Sequence, residues 1–283
     1  MIIIAESGST KTEWRVIEGD KIHAIRGKGI NPNTMSQEDC LKSIEACFNS
    51  QHYIATKELH YYGAGINAQT KADWLQQLRN LFIHAHIQVH NDLLAAGRAC
   101  LGKQAGYVGI LGTGTNLGYY DGSTFINCIP SMGYILGDEG AGVSIGKQVL
   151  KGYYRGAWPD RLKQAFNKKY PFSSDEMMSQ LYQSSEKAAF LAQFAKWAFQ
   201  HRKQPCIQQL ISEVYSEYFN MINEVYDQSI TELNLVGSIA YYWSDFIKKI
   251  AAQYHINIGQ VLESPIAALT LYHQEFQLPN SEK

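Results

Sequence analysis

The sequence predicts an α/β protein of two domains in which one order of strands and helices occurs twice. The chain has 283 residues, more than a single compact domain usually contains. Strand and helix patterns follow one another as βββαβα up to about residue 101, and three further strands begin near Tyr107. A glycine- and threonine-containing turn follows the first strand of each series. The duplication rests on this order of elements, because no repeated residues accompany it.

The first series begins with an apolar strand and continues through short strands and amphipathic helices. Helical spacing is clearest at Leu41, Ile44 and Phe48, which would share one face of a helix. We predict strands at residues 2–5, 14–17, 21–26, 59–62 and 87–90, and helices at residues 37–48, 71–81 and 92–101.

The second series contains a long insertion of helical character. We predict strands at residues 107–111, 116–120, 124–128, 233–236 and 256–262, an insertion at about 142–229 with an amphipathic run at 204–228, and helices at 239–252 and 265–276. The predicted domains are therefore residues 1–110, completed by a C-terminal helix at 265–283, and residues 111–264.

Composition excludes several classes of function. Lys and Arg together number 25 and Asp and Glu 26, so no overall charge favours nucleic acid or an anionic membrane. No stretch approaches the roughly 20 apolar residues that span a bilayer, and the apolar start reaches Glu6 without a basic flank. The five cysteines lie far apart, as in a reduced intracellular protein. We expect a cytoplasmic protein.

The turn after the first strand, Glu6-Ser7-Gly8-Ser9-Thr10-Lys11-Thr12, is a candidate phosphate-binding loop. Small residues let backbone amides approach an anion, and hydroxyl groups add donors. Taken alone, the segment is more typical of a plain polar hairpin turn, because it matches neither of the common phosphate-loop motifs.

A second such turn, Gly112-Thr113-Gly114-Thr115-Asn116, occupies the corresponding place in the second series. Two turns at matching positions, facing one another across a cleft, could hold the phosphates of one nucleotide. The pair is more specific than either member.

A carboxylate stands at the end of the strand predicted at 87–90, where Asn91-Asp92 begin a helix. Ligands of α/β sheets bind at this edge, so Asp92 is a candidate catalytic residue. An aspartate in this position also caps helices, which spacing alone would favour, and both interpretations stay open at this point.

Two glycine-containing segments complete the candidate site. Asp138 and Glu139 lie between glycines just before a helix, where they could accept hydrogen bonds from hydroxyl groups or from water around Mg²⁺, or simply form a surface turn. Asn31 lies in the turn at residues 27–33 and could bind a sugar hydroxyl or amide.

Together and in this order, these segments resemble the N-acetylglucosamine kinase family and the related BadF-type ATPases over nearly the whole chain. The turn at residues 112–116 and the segment Gly137-Asp138-Glu139-Gly140-Ala141 are the most specific marks. The resemblance implies two ribonuclease-H-like, actin-like ATPase domains with a central ATP cleft. It also implies an ATP-dependent kinase that phosphorylates the 6-hydroxyl of N-acetylglucosamine or a related amino sugar.

The resemblance also assigns roles. Asp92 is implied to be the general base, and Glu6 to orient water bound to Mg²⁺. The residues implied to bind ATP are Glu6, Gly8, Ser9, Thr10, Lys11, Gly112, Thr113, Gly114, Thr115, Gly237 and Ser238. Those implied to bind the sugar are Asn31, Gly63, Ala64, Gly65, Asp92, Asn116, Gly133, Asp138 and Glu139. Relatives of this kind suggest a homodimer and no nucleic-acid or membrane partner.

Two other functions remain open at this point. BadF-type ATPases that activate radical dehydratases share the sequence pattern, but they need cysteines that hold an iron–sulfur cluster, and the cysteines here are scattered. A sugar-responsive regulator could keep the fold without catalysis. Retention of Asp92 and of both phosphate turns favours the kinase.

Overall fold

The computed structural model describes residues 1–156, 158–227 and 229–276 of the chain. Two compact units are present: the first contains Met1–Gly106, Tyr120–Ile126 and the segment from Ser264, and the second contains Tyr107–Tyr119 and Asn127–Glu263. Residues 277–283 of the predicted C-terminal helix and Gln228 of the predicted amphipathic run lie outside the described residues.

The first unit is built on a five-stranded sheet of order β3-β2-β1-β4-β5. β1 pairs antiparallel with β2 and parallel with β4, and β4 pairs parallel with β5. The elements are β1 (Ile2–Ser7), β2 (Lys11–Glu18), β3 (Lys21–Lys28), α1 (Gln37–Glu45), α2 (Ser50–Ala55), β4 (Glu58–Gly63), α3 (Thr70–Leu81), β5 (His86–Asn91) and α4 (Asp92–Leu101).

The second sheet has the order β10-β9-β6-β7-β8 and is followed along the chain by one last helix. Its elements are β6 (Gly106–Leu111), β7 (Thr115–Tyr120), β8 (Phe125–Ile126), α5 (Gly133–Leu136), α6 (Gly142–Tyr154), α7 (Asp160–Lys169), α8 (Ser174–Gln183), α9 (Lys187–Gln200), α10 (Pro205–Tyr226), β9 (Glu232–Val236), α11 (Ser238–Tyr242), α12 (Ser244–Ala251), a 3₁₀ turn (Ala252–Tyr254) and β10 (Asn257–Leu262). The last helix, α13 (Ile266–Phe276), belongs to the first unit.

The two sheets have the same topology. Written from the other edge, the second sheet runs β8-β7-β6-β9-β10, so its strands take the places of β3, β2, β1, β4 and β5 in turn. The predicted α/β class and the repeated strand order are therefore confirmed. Helices α6 to α10 occupy the predicted insertion between β8 and β9.

Alternation along β1 divides the first unit into two cores. Ile3 and Ala5 belong to the core on one face of the sheet, which also receives Ile44 of α1 and Trp74 of α3. Ile4 belongs to the opposite core with residues of α4 and α13. Because successive strand residues point to opposite faces, the apolar run at the start of the chain serves both layers. The strand is therefore covered on both sides, and its carboxyl end carries Glu6.

Two predicted helices are divided in the structure. The predicted helix at 37–48 ends at Glu45, and α2 follows with Asn49 as its cap, whose side chain accepts from the His52 amide at 3.2 Å. The predicted helix at 239–252 breaks at Trp243, which is 1% exposed. Trp243 packs against Phe199 with ring centroids 5.2 Å apart, so tertiary packing sets this break rather than a glycine or proline.

None of the helices in the described residues combines the length and the apolar character needed to cross a bilayer.

A buried polar layer joins the sheet of the first unit to α4 and α13. The Tyr62 hydroxyl lies 2.9 Å from Nε2 of His273, and Arg98 of α4 donates to the same hydroxyl. The ring of His60 packs on that of His273 with centroids 4.0 Å apart, and Tyr62 stacks on His90 at 5.3 Å. These contacts fix α4, whose first residue is Asp92, against the sheet.

Within this layer, His90 contributes stability that is lost in mild acid. Burial, together with the charge of Arg98, lowers the pKa of His90 from the usual 6.5 to about 4. As pH falls from 6.5 towards 4, His90 becomes protonated in the unfolded chain but stays neutral in the folded chain. The contribution of His90 should be about 1–2 kcal/mol smaller at pH 5 than at pH 7, measured by urea titration as the difference between wild type and His90→Gln. His90→Gln should remove that part of the pH dependence, and an unchanged slope in the variant contradicts the assignment.

Candidate functional site

Two carboxylates meet at the carboxyl edge of the first sheet. Glu6 lies near the end of β1, and Asp92 is the first residue of α4, directly after β5. Burial and, after it, the negative charges of Asp92 and Glu13 raise the pKa of Glu6 to about 8, although the positive charge of Lys11 lowers it. Burial also raises the pKa of Asp92. Both carboxyl groups are therefore harder to ionise than in water, and a bound cation would favour their charged forms.

The capping function that the sequence left open belongs to Asn91. Its side-chain oxygen accepts from the amide of Leu94 at 3.0 Å, as a helix N-cap does. Asp92 is thus the first helical residue rather than the cap. Its carboxyl group accepts hydrogen bonds from the backbone amides of Leu93 and of Asp92 itself, and these helix N-terminal amides favour its negative form.

The turn after β1 carries the hydroxyl groups of Ser9 and Thr10 at its tip. The Gly8 amide donates to the Lys11 carbonyl at 2.9 Å, which leaves Ser9 and Thr10 exposed. Lys11 forms an ion pair with Glu13 at 3.0 Å, and Ser264 donates to the same carboxylate at 2.6 Å. Sequence reasoning missed this role of Glu13 and Ser264, because only the fold brings residues so distant in the chain together.

The predicted sugar-binding segments of the first unit lie side by side. The Ser7 hydroxyl donates to the Ile30 carbonyl at 3.0 Å, and the Ala64 amide donates to the Ser7 carbonyl at 2.8 Å. A Cβ on Gly65, which has a φ of +76°, would lie 1.9 Å from Oδ1 of Asn31. The structure therefore brings Asn31 against the turn Gly63-Ala64-Gly65, and only glycine fits at residue 65.

In the second unit, the turn at residues 112–115 is held by α6. The carbonyls of Gly112 and Thr113 accept from the amides of Gly142 and Val143 at 2.9 and 3.1 Å. These bonds occupy the first amides of α6. The amides of Thr113 and Gly114 make no hydrogen bond to any described residue, so they remain available to an anion.

Asp138 and Glu139 are tied to the same turn. Oδ1 of Asp138 accepts from the Thr115 amide at 2.9 Å, and the Glu139 carbonyl accepts from the Thr115 hydroxyl. Burial raises the pKa of Asp138, which is only 8% exposed. Both acids line a cavity of about 210 Å³ together with Thr115 and Asn116, whereas Gly133, the first residue of α5, is not among its lining residues.

Gly237 adjoins the same turn. It caps α11 with a φ of +121°, and a Cβ there would lie 2.3 Å from the Leu111 carbonyl oxygen and 3.3 Å from the Gly112 amide nitrogen. Ser238 begins α11. Two segments implied to bind ATP, the turn at residues 112–115 and Gly237-Ser238, therefore touch within the second unit. A glycine directly after a buried strand was the only sequence signal for this contact.

The donor set of the first unit fits a hydrated Mg²⁺. Mg²⁺ keeps several waters and is commonly bound through one or two carboxylates, and Glu6 and Asp92 supply two that repel each other. Within residues 1–156, 158–227 and 229–276, no group of three or more His, Cys, Asp or Glu side chains is arranged to hold a metal ion.

Solved structures with the same fold include sugar kinases. A candidate N-acetylglucosamine kinase from Porphyromonas gingivalis is 27% identical, covers 98% of this chain and 100% of its own, and has a TM-score of 0.91. A candidate N-acetylglucosamine kinase from Chromobacterium violaceum is 19% identical over 96% of this chain and 98% of its own, with a TM-score of 0.70. A ROK family glucokinase from Streptomyces griseus, in complex with glucose and AMPPNP, is 13% identical over 96% and 98%, with a TM-score of 0.54.

No family model matches the sequence, and no curated protein matches it. The structural likeness nevertheless extends along nearly the full chain. It confirms the predicted resemblance to N-acetylglucosamine kinases and the predicted pair of actin-like ATPase domains.

Proposed function

We propose that this chain, whose fold is that of the N-acetylglucosamine kinases, transfers the γ-phosphate of ATP to the 6-hydroxyl of N-acetylglucosamine or a closely related amino sugar. The observation that carries the proposal is the likeness to the Porphyromonas gingivalis candidate N-acetylglucosamine kinase, at 27% identity and a TM-score of 0.91. The related glucokinase and hexokinase structures support an ATP-dependent sugar kinase.

Asp92 is the proposed general base. Its carboxylate would accept the proton of the sugar 6-hydroxyl as that oxygen attacks the γ-phosphate. Burial raises the pKa of Asp92, and a higher pKa makes a carboxylate a stronger base. Asn31 and the backbone at residues 63–65 would orient the sugar in the first unit. Asn116, Gly133, Asp138 and Glu139 are assigned to sugar hydroxyl groups in the second.

The two turns are the proposed phosphate sites. In the first unit, Ser9 and Thr10 offer hydroxyl groups, Lys11 offers an ammonium group, and Gly8 leaves room for the phosphates. The Lys11 ammonium lies 3.0 Å from the carboxylate of Glu13. In the second unit, the turn at residues 112–115 offers two unpaired amides, and the adjoining Gly237 and Ser238 would hold the adenosine. Phosphoryl transfer depends mainly on such positioning and neutralisation of charge.

Glu6 would hold Mg²⁺ through a bound water, which leaves the Asp92 carboxylate free to act as the base. When bound, Mg²⁺ neutralises charge on the phosphate oxygens of ATP. By the same resemblance, we propose that the enzyme is cytoplasmic and forms a homodimer.

The proposal predicts saturable, sugar-dependent ADP release. The assay uses ATP and Mg²⁺ with a panel of N-acetylglucosamine, N-acetylmuramic acid, N-acetylmannosamine, glucosamine and glucose. Turnover on an N-acetyl sugar is expected because two of the similar structures are candidate N-acetylglucosamine kinases, with TM-scores of 0.91 and 0.70. Phosphorylation at the 6-hydroxyl is then checked by NMR of the product.

Two other results would favour the alternative functions. Sugar-independent ATP hydrolysis by protein that contains iron would favour a BadF-type ATPase activator. Sugar binding without ADP release on any member of the panel would favour a sugar-responsive regulator.

A further inference from the structure

A polar groove of about 390 Å³ lies between α1 and α3 in the first unit. Pro32 and Met35, from the loop that carries Asn31, line it. Cys40 and Trp74, each 1% exposed, form its base. Its volume falls within the range of about 300–1,000 Å³ that is usual for ligand pockets. The proposed phosphoryl transfer gives this groove no function.

One face of α3 supplies most of the polar lining. Residues three and four positions apart share a helix face, and here they are Asp73, Gln76, Gln77 and Asn80. The Gln76 amide donates to Oδ1 of Asn80 at 3.1 Å, which orients both amides. Asp73 is the one charged residue among those lining the groove, so the groove is suited to hydroxyl and amide groups and unfavourable to anions.

Gln77 leaves a buried acceptor unpaired. Its Oε1 atom is buried and has no hydrogen-bond partner among the described residues. Folded proteins rarely leave such an oxygen unpaired, because burying it without a donor is unfavourable. Gln77 also lines the groove, so a rotation of its side-chain amide would bring this oxygen to a hydroxyl or N–H group of a bound ligand.

The groove adjoins the proposed sugar-binding segments. Thr70, which lines it, donates from its hydroxyl to the Gly65 carbonyl at 2.7 Å. Asn31, which packs against Gly65, is followed directly in the chain by the lining residue Pro32. Both segments that are proposed to hold the amino sugar therefore border the groove.

We propose that this groove binds a second sugar unit of a neutral amino-sugar oligosaccharide whose first unit occupies the proposed sugar site. The inference rests on the proposed function. Uncharged amides in the lining pair with both donors and acceptors of a saccharide, and the unpaired Oε1 of Gln77 requires a donor. A lone monosaccharide would leave the groove unused.

The test compares wild-type protein with Gln77→Leu and with the matched variant Gln51→Leu, altered at an exposed residue of α2. Calorimetry measures binding of N-acetylglucosamine, N,N′-diacetylchitobiose and N-acetylmuramic acid. Wild type and Gln51→Leu should bind the disaccharide about tenfold more tightly than the monosaccharide. Gln77→Leu should lose most of this preference while its affinity for the monosaccharide is unchanged. Its Tm should not fall, because leucine removes an unpaired buried oxygen.

Equal affinity for disaccharide and monosaccharide, or an undiminished preference in Gln77→Leu, would overturn the inference. Tighter binding of N-acetylmuramic acid than of the disaccharide would also overturn it. ADP release with N-acetylglucosamine, measured on the same proteins, separates the two proposals. Absence of release contradicts the kinase, whereas the disaccharide preference tests the groove by itself.

Discussion

Asp92→Asn is expected to lower kcat by about 10²- to 10⁴-fold while the protein stays folded. Asparagine keeps the size of the side chain but cannot accept the proton of the attacking hydroxyl. The measurement is ADP release at saturating ATP with the best sugar of the panel. Asp20→Asn, in the exposed turn between β2 and β3, is the matched control and should retain wild-type turnover.

Stability separates this effect from unfolding. Burial raises the pKa of Asp92, so ionisation of this carboxyl opposes folding. The Tm of Asp92→Asn should therefore equal or exceed that of wild type, and Asn91 still caps α4. Turnover within about threefold of wild type would rule out Asp92 as the general base.

The segment at Asn91 and Asp92 shows what the sequence could and could not predict. Strand periodicity and the apolar helix pattern located the junction of β5 and α4, and α4 has the predicted bounds. The sequence could not assign the cap, because asparagine and aspartate have nearly equal preference for that position. The choice depends on backbone direction at the end of the strand. Only the fold shows that Glu6 lies near enough to Asp92 to respond to its charge.

Contacts between segments that are distant in the chain also could not be predicted from the sequence. Periodicity is a local property, so it predicted the two turns but not the contact of Gly237 with Leu111. The break at Trp243 follows from packing against Phe199, which precedes it by more than forty residues. The orphaned oxygen of Gln77 has no sequence signal at all, because an amide on a helix is most often solvated.

Gly237→Ala is expected to weaken ATP binding strongly and to destabilise the second unit. The residue has a φ of +121°, which L-residues with a side chain rarely adopt. Its Cβ would lie 2.3 Å from the Leu111 carbonyl oxygen, so the chain at the start of the turn at residues 112–115 must move. The expected cost is about 2–4 kcal/mol in the free energy of unfolding. The KM for ATP should rise at least about tenfold, because displaced amides no longer meet the phosphates.

Gly112→Ala separates the loss of ATP affinity from the loss of stability. A Cβ at residue 112 meets nothing within 4 Å, so the substitution should leave the Tm near that of wild type. If phosphates approach this turn, the same Cβ takes up part of their space and the KM for ATP rises without loss of stability. Thermal unfolding and ATP titration of both variants are the measurements. A wild-type KM for ATP in both variants would show that the nucleotide does not bind at this turn. Gly237→Ala displaces the turn, and Gly112→Ala reduces the space in front of it.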